Sequence, residues 1–326
     1  MAVKTDNLNG EKNYTADYKH DTKVDDMNNQ PLVKEINQLK KEKNAVLLAH
    51  VYQDGPIQDI ADFIGDSLAL SKKAVDTDAD LIVFCGVSFM AETAHILNPK
   101  KKVLLPQLDA GCGLANMATV EKLKQQKKKY PDAAVVSYVN SSAEVKAESD
   151  ICCTSSNAVD IVNSTKEDTV LFVPDKNLGS YIAEQTEKQI ILWDGFCYVH
   201  QNIAPETIQG LQRKHPKAEV IVHPECPKPV RDLADFIGGT GHMAKYAKKS
   251  ETTKFIVGTE DNFVYRLRKD NPDKMFYPVN THCEGMRKIS LSNVHQALLK
   301  EQHEITIAEP IRQKAYKALT KMMNQS

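Results

Sequence analysis

The sequence predicts an α/β chain of three similar three-layer α/β/α domains, each with a short parallel sheet, around a pseudo-threefold axis. The first observation is that short apolar runs rich in Val, Ile and Leu alternate with helical stretches, which is typical of parallel strands buried on both faces. The second is a repeated pentapeptide, and the third is a constant spacing between polar residues in three successive segments. Strands are predicted at 46–49, 81–85, 103–105, 134–138, 170–173, 190–193, 220–222 and 255–257, with helices at 89–97, 119–129 and 292–301 among them.

The repeats define three equivalent units. Ala-Asp-Phe-Ile-Gly occupies residues 61–65 and 234–238, and a weaker copy, Ser-Asp-Ile-Cys-Cys, occupies 149–153. Each copy lies between a polar strand end and a hydroxyl residue 17 positions further along. Each unit closes with a cysteine, and these cysteines are 85 and 86 residues apart. Because open α/β sheets bind ligands at the carboxyl ends of their strands, three such units would share one cavity. The repeated positions are His50, Tyr138 and His223, then Ser67, Ser155 and Thr240, then Cys112, Cys197 and Cys283.

These repeats divide the chain into domains at 31–117, 118–203 and 204–326, the last including C-terminal helices, after a polar tail at 1–30. We expect the tail to be flexible because it is rich in Asp, Asn, Lys and Thr and shows no apolar period. Pro31 is expected to open the first helix, since proline is favoured at the first helical position.

Composition excludes several classes of protein. The 42 Lys and Arg against 43 Asp and Glu give a net charge of −1, which offers no surplus of cations for nucleic acid. No apolar run approaches the roughly 20 residues of a membrane-spanning helix, and residues 1–30 do not resemble a secretory signal. Seven cysteines, an odd number without an export signal, predict a reducing, cytoplasmic setting.

The three repeated cysteines are candidate metal ligands. Cys112, Cys197 and Cys283 follow predicted strands in equivalent loops, so a threefold arrangement brings them together. Thiolates select soft or borderline metals. Zinc would need a histidine or water as fourth ligand, whereas a [4Fe–4S] cluster would leave one iron open to substrate. The spacing alone does not choose between them.

The other repeated positions predict anion binding and proton transfer. Ser67, Ser155 and Thr240 lie near predicted helix starts, where free N–H groups and a partial positive charge favour carboxylates or phosphate. The strand ends supply titratable groups, and a carboxylate beside an imidazole is a plausible acid/base pair. These groups are His50, Tyr52, Tyr138, His223 and Glu225.

Several longer segments carry a resemblance to a known family. The chain resembles quinolinate synthases, the NadA-type enzymes of de novo NAD biosynthesis, from about Pro31 to about Leu299. The segments that carry this resemblance are 49–71, 85–97, 138–158, 174–179, 195–200, 223–227 and 257–261.

The resemblance implies an enzyme that condenses iminosuccinate (iminoaspartate) with dihydroxyacetone phosphate and releases quinolinate, phosphate and water. It implies one [4Fe–4S] cluster held by Cys112, Cys197 and Cys283, acting as a Lewis acid, and functional coupling to an L-aspartate oxidase that supplies the imine. It assigns proton handling to Tyr52 and Glu225, with His50 as a further catalytic candidate. The substrate-binding positions that it implies are His50, Ser67, Tyr138, Val139, Asn140, Ser155, His223, Pro224, Glu225 and Thr240.

Two other readings remain open at this point. The same three cysteines plus water suit a zinc-dependent lyase or aldolase acting on a phosphosugar, and a cluster also suits a metabolite sensor. The chain departs from the usual family pattern at Cys283-Glu284-Gly285-Met286, where Cys-Pro-Asn-Met is common, and at His242, where a small residue is usual. Neither departure removes a predicted ligand.

Overall fold

The computed structural model describes residues 22–325 of the protein, and three parallel four-stranded sheets organise them. The sheet orders are β2-β1-β3-β4, β6-β5-β7-β8 and β10-β9-β11-β12, so one topology occurs three times. This confirms the predicted fold class. The strands are β1 (Ala45–His50), β2 (Phe63–Gly65), β3 (Leu81–Cys85), β4 (Lys102–Leu104), β5 (Ala134–Tyr138), β6 (Ile151–Cys153), β7 (Thr169–Val173), β8 (Gln189–Leu192), β9 (Glu219–Val222), β10 (Phe236–Ile237), β11 (Lys254–Gly258) and β12 (Met275–Pro278).

The two central strands of each sheet are the apolar runs of the sequence. β3 is buried along its whole length, and so is β5, as expected where helices cover both faces of a parallel sheet. The repeated pentapeptides form the short edge strands β2, β6 and β10. These strands have only two or three residues, too few for a periodic pattern, so sequence analysis did not predict them.

The aspartate of each repeated pentapeptide has the same structural role in its sheet. The carboxylate of Asp62 accepts a hydrogen bond from the Leu47 backbone N–H at 2.8 Å. In return, the Asp62 backbone N–H donates to the Leu47 carbonyl at 3.0 Å. Asp150 and Asp235 make the same side-chain contact with β5 and β9, each at 2.8 Å. Each aspartate therefore sets the register between the first strand and the edge strand of its sheet, which makes the strand ends equivalent.

Helices connect the strands and cover the sheets. The first helix begins at Thr22, so the expected start at Pro31 is wrong: an apolar period marks only the turns that pack on a core, and Pro31 lies inside the helix. The expectation for residues 1–21 lies outside the described residues. The helices are α1 (Thr22–Glu42), α2 (Gly55–Ile60), α3 (Ser67–Asp76), α4 (Ser88–Leu97), α5 (Val120–Lys129), α6 (Ala143–Ala147), α7 (Ala158–Ser164), α8 (Lys176–Ala183), α9 (Tyr198–Gln201), α10 (Pro205–Lys214), α11 (Lys228–Arg231), α12 (Thr240–Lys249), α13 (Asn262–Asp270), α14 (Glu284–Arg287), α15 (Leu291–Lys300) and α16 (Glu309–Asn324).

The last two helices return to the first two sheets. α15 packs against α1 and β3, and α16 packs against α4, α6 and β6. Buried residues of α16, among them Leu319 and Met322, belong to the same apolar core as β1 and β5. The chain end thus ties the first sheet to the second. None of the helices in the described part of the chain is both long and apolar enough to cross a membrane.

Candidate active site

One cavity lies where the carboxyl ends of the three sheets meet. Every sheet contributes strand-end residues, and the loops that follow β4, β8 and β12 each contribute a cysteine. The predicted site residues that line this cavity are His50, Tyr52, Ser67, Cys112, Tyr138, Asn140, Ser155, Cys197, His223, Glu225, Thr240 and Cys283. Of the predicted set, Val139 and Pro224 do not line it. The Val139 N–H is already bonded to the Cys153 carbonyl at 2.9 Å.

The three repeated cysteines are half-buried free thiols on this cavity. Burial, with a smaller effect of Cys283, raises the pKa of Cys112 to about 12. Burial also raises the pKa of Cys197 well above its ordinary value, with Glu225 and Cys112 adding to the effect. Three thiols that resist ionisation when unliganded, yet face one space, form a donor set that a bound soft metal would stabilise as thiolates.

The loops that carry these cysteines pack tightly against one another. A Cβ atom on Gly285 would lie 2.1 Å from the Gly111 carbonyl oxygen, so only glycine fits where the first and third loops meet. The Glu284 N–H donates to the Tyr198 hydroxyl at 2.7 Å, which joins the second and third loops. The spatial relation of the three thiols is therefore fixed by direct contact between the loops.

A compact group of mixed ligand atoms adjoins the cysteines. Ligand atoms of Cys197, His200 and Glu225 all lie within 4.8 Å of one another, and among the described residues no such group contains all three repeated cysteines. The three repeated cysteines line the same cavity as this group, so they remain candidate ligands of one bound centre.

A hydrogen-bonded chain crosses the cavity from domain to domain. The Tyr52 hydroxyl lies 2.5 Å from Thr259 Oγ1, which lies 2.8 Å from His200 Nε2. His200 Nδ1 is 2.8 Å from Glu225 Oε2. Glu225 also accepts a hydrogen bond from the Tyr138 side chain. Tyr52 follows β1, His200 lies on α9 and Thr259 follows β11, so residues of all three repeats complete one path along which a proton can move.

The carboxyl of Glu225 stays ionised in spite of its burial. Burial alone would raise its pKa, but His200 and His223, with the hydrogen bonds from His200 and Tyr138, hold the pKa below its ordinary value. Burial raises the pKa of Tyr52 and Tyr138 well above theirs. The cavity therefore combines a carboxylate base with two neutral phenols that can donate protons.

The strand-end histidines His50 and His223 are neutral hydrogen-bond donors toward the cavity. Nδ1 of His50 accepts the Tyr52 N–H at 3.2 Å, and Nδ1 of His223 accepts the Glu225 N–H at 3.3 Å. Burial lowers the pKa of His50 to about 4 and that of His223 to about 3. Each ring therefore carries its single proton on Nε2, and His223 Nε2 lies 3.2 Å from Ser155 Oγ.

The three repeated hydroxyls line the same cavity, although they are not helix caps. Ser67 and Thr240 are the first residues of α3 and α12, whose N-caps are Asp66 and Gly239, and Ser155 lies before the Asn157 cap of α7. None of the three is therefore the N-cap residue of the helix that it precedes or begins. Within residues 22–325, the buried Asn140 Oδ1 has no hydrogen-bond partner. An unsatisfied buried acceptor that lines the same cavity as three hydroxyls indicates a site for a polar ligand.

Sequence analysis missed His200 and Thr259. His200 stands three residues after Cys197, a spacing that places both on one side of a helical turn, and this signal could have found it. Thr259 directly follows β11, at the position that Gly86 and Pro174 occupy after β3 and β7. A role carried by one repeat only cannot be found from the repeats themselves.

The fold and the cavity define an α/β enzyme of three sheets, in which a cavity shared by the sheets combines thiols, acid/base groups and hydroxyls. The chain belongs to the quinolinate synthase family, because the family model described as "Quinolinate synthetase A protein" matches residues 34–324.

Curated relatives are similar over almost their whole length. The chain is 52% identical to a quinolinate synthase of Alkaliphilus metalliredigens (strain QYMF) over 300 residues, which cover 91% of this chain and 99% of that protein. It is 50% identical over 302 residues to quinolinate synthase 2 of Methanosarcina acetivorans, with 92% and 97% covered. It is 51% identical over 300 residues to a quinolinate synthase of Caldicellulosiruptor bescii, with 91% and 99% covered.

Proposed function

We propose that the protein is a quinolinate synthase that condenses iminosuccinate with dihydroxyacetone phosphate to form quinolinate, phosphate and water in de novo NAD biosynthesis. The observation that carries this function is that three cysteine loops and one acid/base chain converge on a single cavity. Relatives of about 50% identity named quinolinate synthase support the same reaction.

We assign a [4Fe–4S] cluster to Cys112, Cys197 and Cys283. The convergence of three cysteines on one cavity supports this assignment, and three ligands leave one iron open. When bound, such a cluster would supply a Lewis acid toward substrate oxygen or nitrogen. The protein's own part is to bind the substrates, exclude water from the labile imine and move protons at defined atoms.

The hydrogen-bonded chain supplies the proton transfers. The ionised Glu225 carboxylate can accept a proton from substrate, while the neutral phenol of Tyr52 can donate one. Thr259 and His200 connect the two groups and can return the proton from Glu225 to Tyr52 after each step. General acid/base catalysis by positioned groups typically accelerates a step by about 10²–10⁴-fold.

The remaining predicted residues suit two dianionic substrates. We assign carboxylate and phosphate binding to the hydroxyls of Ser67, Ser155 and Thr240 and to the Nε2–H groups of His50 and His223. Asn140 and Tyr138 would fix substrate orientation. Val139 and Pro224 are not among the residues that line the cavity, so we confine their contribution to the backbone that positions their neighbours.

Two wider assignments concern the supply of the imine and the setting of the protein. Because iminosuccinate hydrolyses readily, we propose functional coupling to an L-aspartate oxidase that supplies it. We also propose a cytoplasmic setting, which is supported by the seven cysteines, all free of disulfide bonds.

Anaerobic purification tests the proposed function. The protein should be brown, contain about four iron and four sulfide per chain, and form quinolinate from the two substrates. The Cys197→Ala variant should lose both colour and activity. A colourless, iron-free preparation with full activity would reject the proposal.

The compact group of Cys197, His200 and Glu225 favours a second candidate, a zinc-dependent lyase or aldolase acting on a phosphosugar. Zinc would give a colourless protein without sulfide, and activity would return on addition of zinc to the metal-free chain. Metal and sulfide analysis of the active preparation therefore separates the two functions.

A further inference from the structure

Two buried carboxylates occupy the same repeat position in the second and third domains. Cys85, Val173 and Gly258 are equivalent, because they pair with Ala49, Ser137 and Val222, the residues that precede the three strand ends. The residues two positions further along the chain are therefore equivalent as well. They are Val87 in the first domain, Asp175 in the second and Glu260 in the third.

Asp175 joins a helix to a cysteine loop. Its Oδ1 accepts the Leu178 N–H at 2.7 Å, which caps α8, and its Oδ2 accepts the Cys197 N–H at 2.9 Å. The residue is fully buried. Both oxygens are therefore committed to backbone donors, and one of those donors belongs to a cysteine on the cavity.

Glu260 makes the same connection in the third domain. Its Oε2 accepts the Asn262 N–H at the start of α13 at 2.7 Å, and its Oε1 accepts the Cys283 N–H at 3.4 Å. It too is fully buried. The longer glutamate replaces the aspartate, yet it connects the same two structural features.

The first domain has no carboxylate at this position. Val87 lines the cavity, whereas Asp175 and Glu260 do not. There, the loop before Cys112 is held by a backbone bond from the Ser88 N–H to the Ala110 carbonyl at 2.8 Å. The contact between carboxylate and cysteine amide is thus confined to two of the three loops.

We propose that Asp175 and Glu260 are positioning residues that orient the Cys197 and Cys283 loops toward the centre they bind. A carboxylate that accepts the cysteine N–H fixes the peptide plane from which the side chain projects, and so fixes the direction of the sulfur. Partners of this kind, behind the ligands themselves, typically change metal affinity by about 10–100-fold when they are removed. The inference rests on the cluster assigned under the proposed function.

The full-length protein carrying its cluster provides the test. In Asp175→Asn, one amide group replaces an acceptor oxygen with a donor, so either the α8 cap or the Cys197 N–H loses its partner. We expect the rate of cluster loss to an iron chelator, followed by visible absorbance, to rise about 10–100-fold. The visible circular dichroism of the cluster should change as well, because it reports on ligand geometry.

Asp150→Asn is the matched control. Asp150 lies in the same domain and its carboxylate also accepts a backbone N–H, from Val135 at 2.8 Å, while its other hydrogen bonds in the described chain join it to Val135 and Lys321 rather than to a cysteine loop. This variant should lose its cluster at the wild-type rate. Glu260→Gln, with Asp235→Asn as its control, repeats the comparison in the third domain and carries the test if Asp175→Asn does not fold.

The outcomes are distinct for the two proposals. Wild-type protein that binds iron without sulfide would overturn the assigned cluster. A wild-type cluster together with unchanged loss rates in folded Asp175→Asn and Glu260→Gln would overturn only the present inference. Equal acceleration in Asp150→Asn would also overturn it, because the effect would then follow from general loss of stability.

Discussion

Replacing Thr259 with valine breaks the hydrogen-bonded chain at its middle without changing its shape. Thr259 is fully buried, and its hydroxyl contacts the Tyr52 hydroxyl at 2.5 Å and His200 Nε2 at 2.8 Å. Valine leaves the buried His200 Nε2 without a hydrogen bond, at a cost of about 1–3 kcal/mol in the free energy of unfolding, whereas the half-buried Tyr52 hydroxyl faces the cavity. We therefore expect the Thr259→Val variant to lose about 1–3 kcal/mol of stability.

The loss of activity is the more specific test of the proton path, because a loss of stability follows from any broken buried hydrogen bond. Interrupting proton transfer between Glu225 and Tyr52 should reduce kcat by about 10²–10⁴-fold, which corresponds to about 3–5 kcal/mol in the activation free energy. Cluster content should stay at the wild-type value, because the hydrogen bonds of Thr259 go to no cysteine. The assay is quinolinate formation from both substrates under anaerobic conditions, at matched iron and sulfide content.

Thr259→Ser is the control, because it keeps the hydroxyl and should retain most of kcat. Tyr52→Phe should cost as much as Thr259→Val, and the double variant should cost little more, since both interrupt one path. A Thr259→Val enzyme with a full cluster and a kcat within about threefold of wild type, well below the loss expected for a general acid or base, would refute the path.

Three further predictions concern the loops, the polar ligand site and acid stability. In Gly285→Ala the new Cβ would lie 2.1 Å from the Gly111 carbonyl oxygen, whereas ordinary contact begins at 3.4 Å, so the loops must separate and the iron content should fall. Gly111→Ala is the control: the atom nearest to its new Cβ is 3.9 Å away, so this variant should keep its cluster. Asn140→Ala should raise KM about tenfold while raising the Tm, because it removes an unsatisfied buried acceptor that only the substrate would satisfy. Burial lowers the pKa of His223 from 6.5 to about 3. As the pH falls below 6.5, this histidine is protonated in the unfolded chain but not in the folded one, so the free energy of unfolding decreases as the pH decreases. Between pH 6.5 and 4 the cluster-free wild type should therefore lose about 3 kcal/mol more than His223→Gln in urea unfolding, and equal slopes would contradict this.

The repeat spacing was enough to predict the fold and most of the cavity. Positions that recur, such as His50, Tyr138 and His223, could be found because one structural role occurs three times at a constant distance from the strand ends. The short edge strands β2, β6 and β10 could not, since their segments of two or three residues carry no period of their own. Thr259 could not either, because its equivalents are Gly86 and Pro174, which share its place in the backbone but not its chemistry.

The positions of Asp175 and Glu260 show a different limit. The two carboxylates differ in length, and Val87 interrupts the series, so no pattern in the sequence marks them as equivalent. Their equivalence follows only from the strand register, which pairs side chains across a sheet. What sequence reasoning lacked here was knowledge of which backbone donors would be left without partners once the cysteine loops had folded.

The return of α15 and α16 to the first two sheets bears on how the protein matures. These helices are the last part of the described chain to leave the ribosome, yet they complete a core that starts with β1. A nascent chain that has already exposed Cys112 and Cys197 still lacks the segment that holds their domains together. A chain truncated before α15 would therefore present the thiols of Cys112 and Cys197 without the two helices that pack on their sheets.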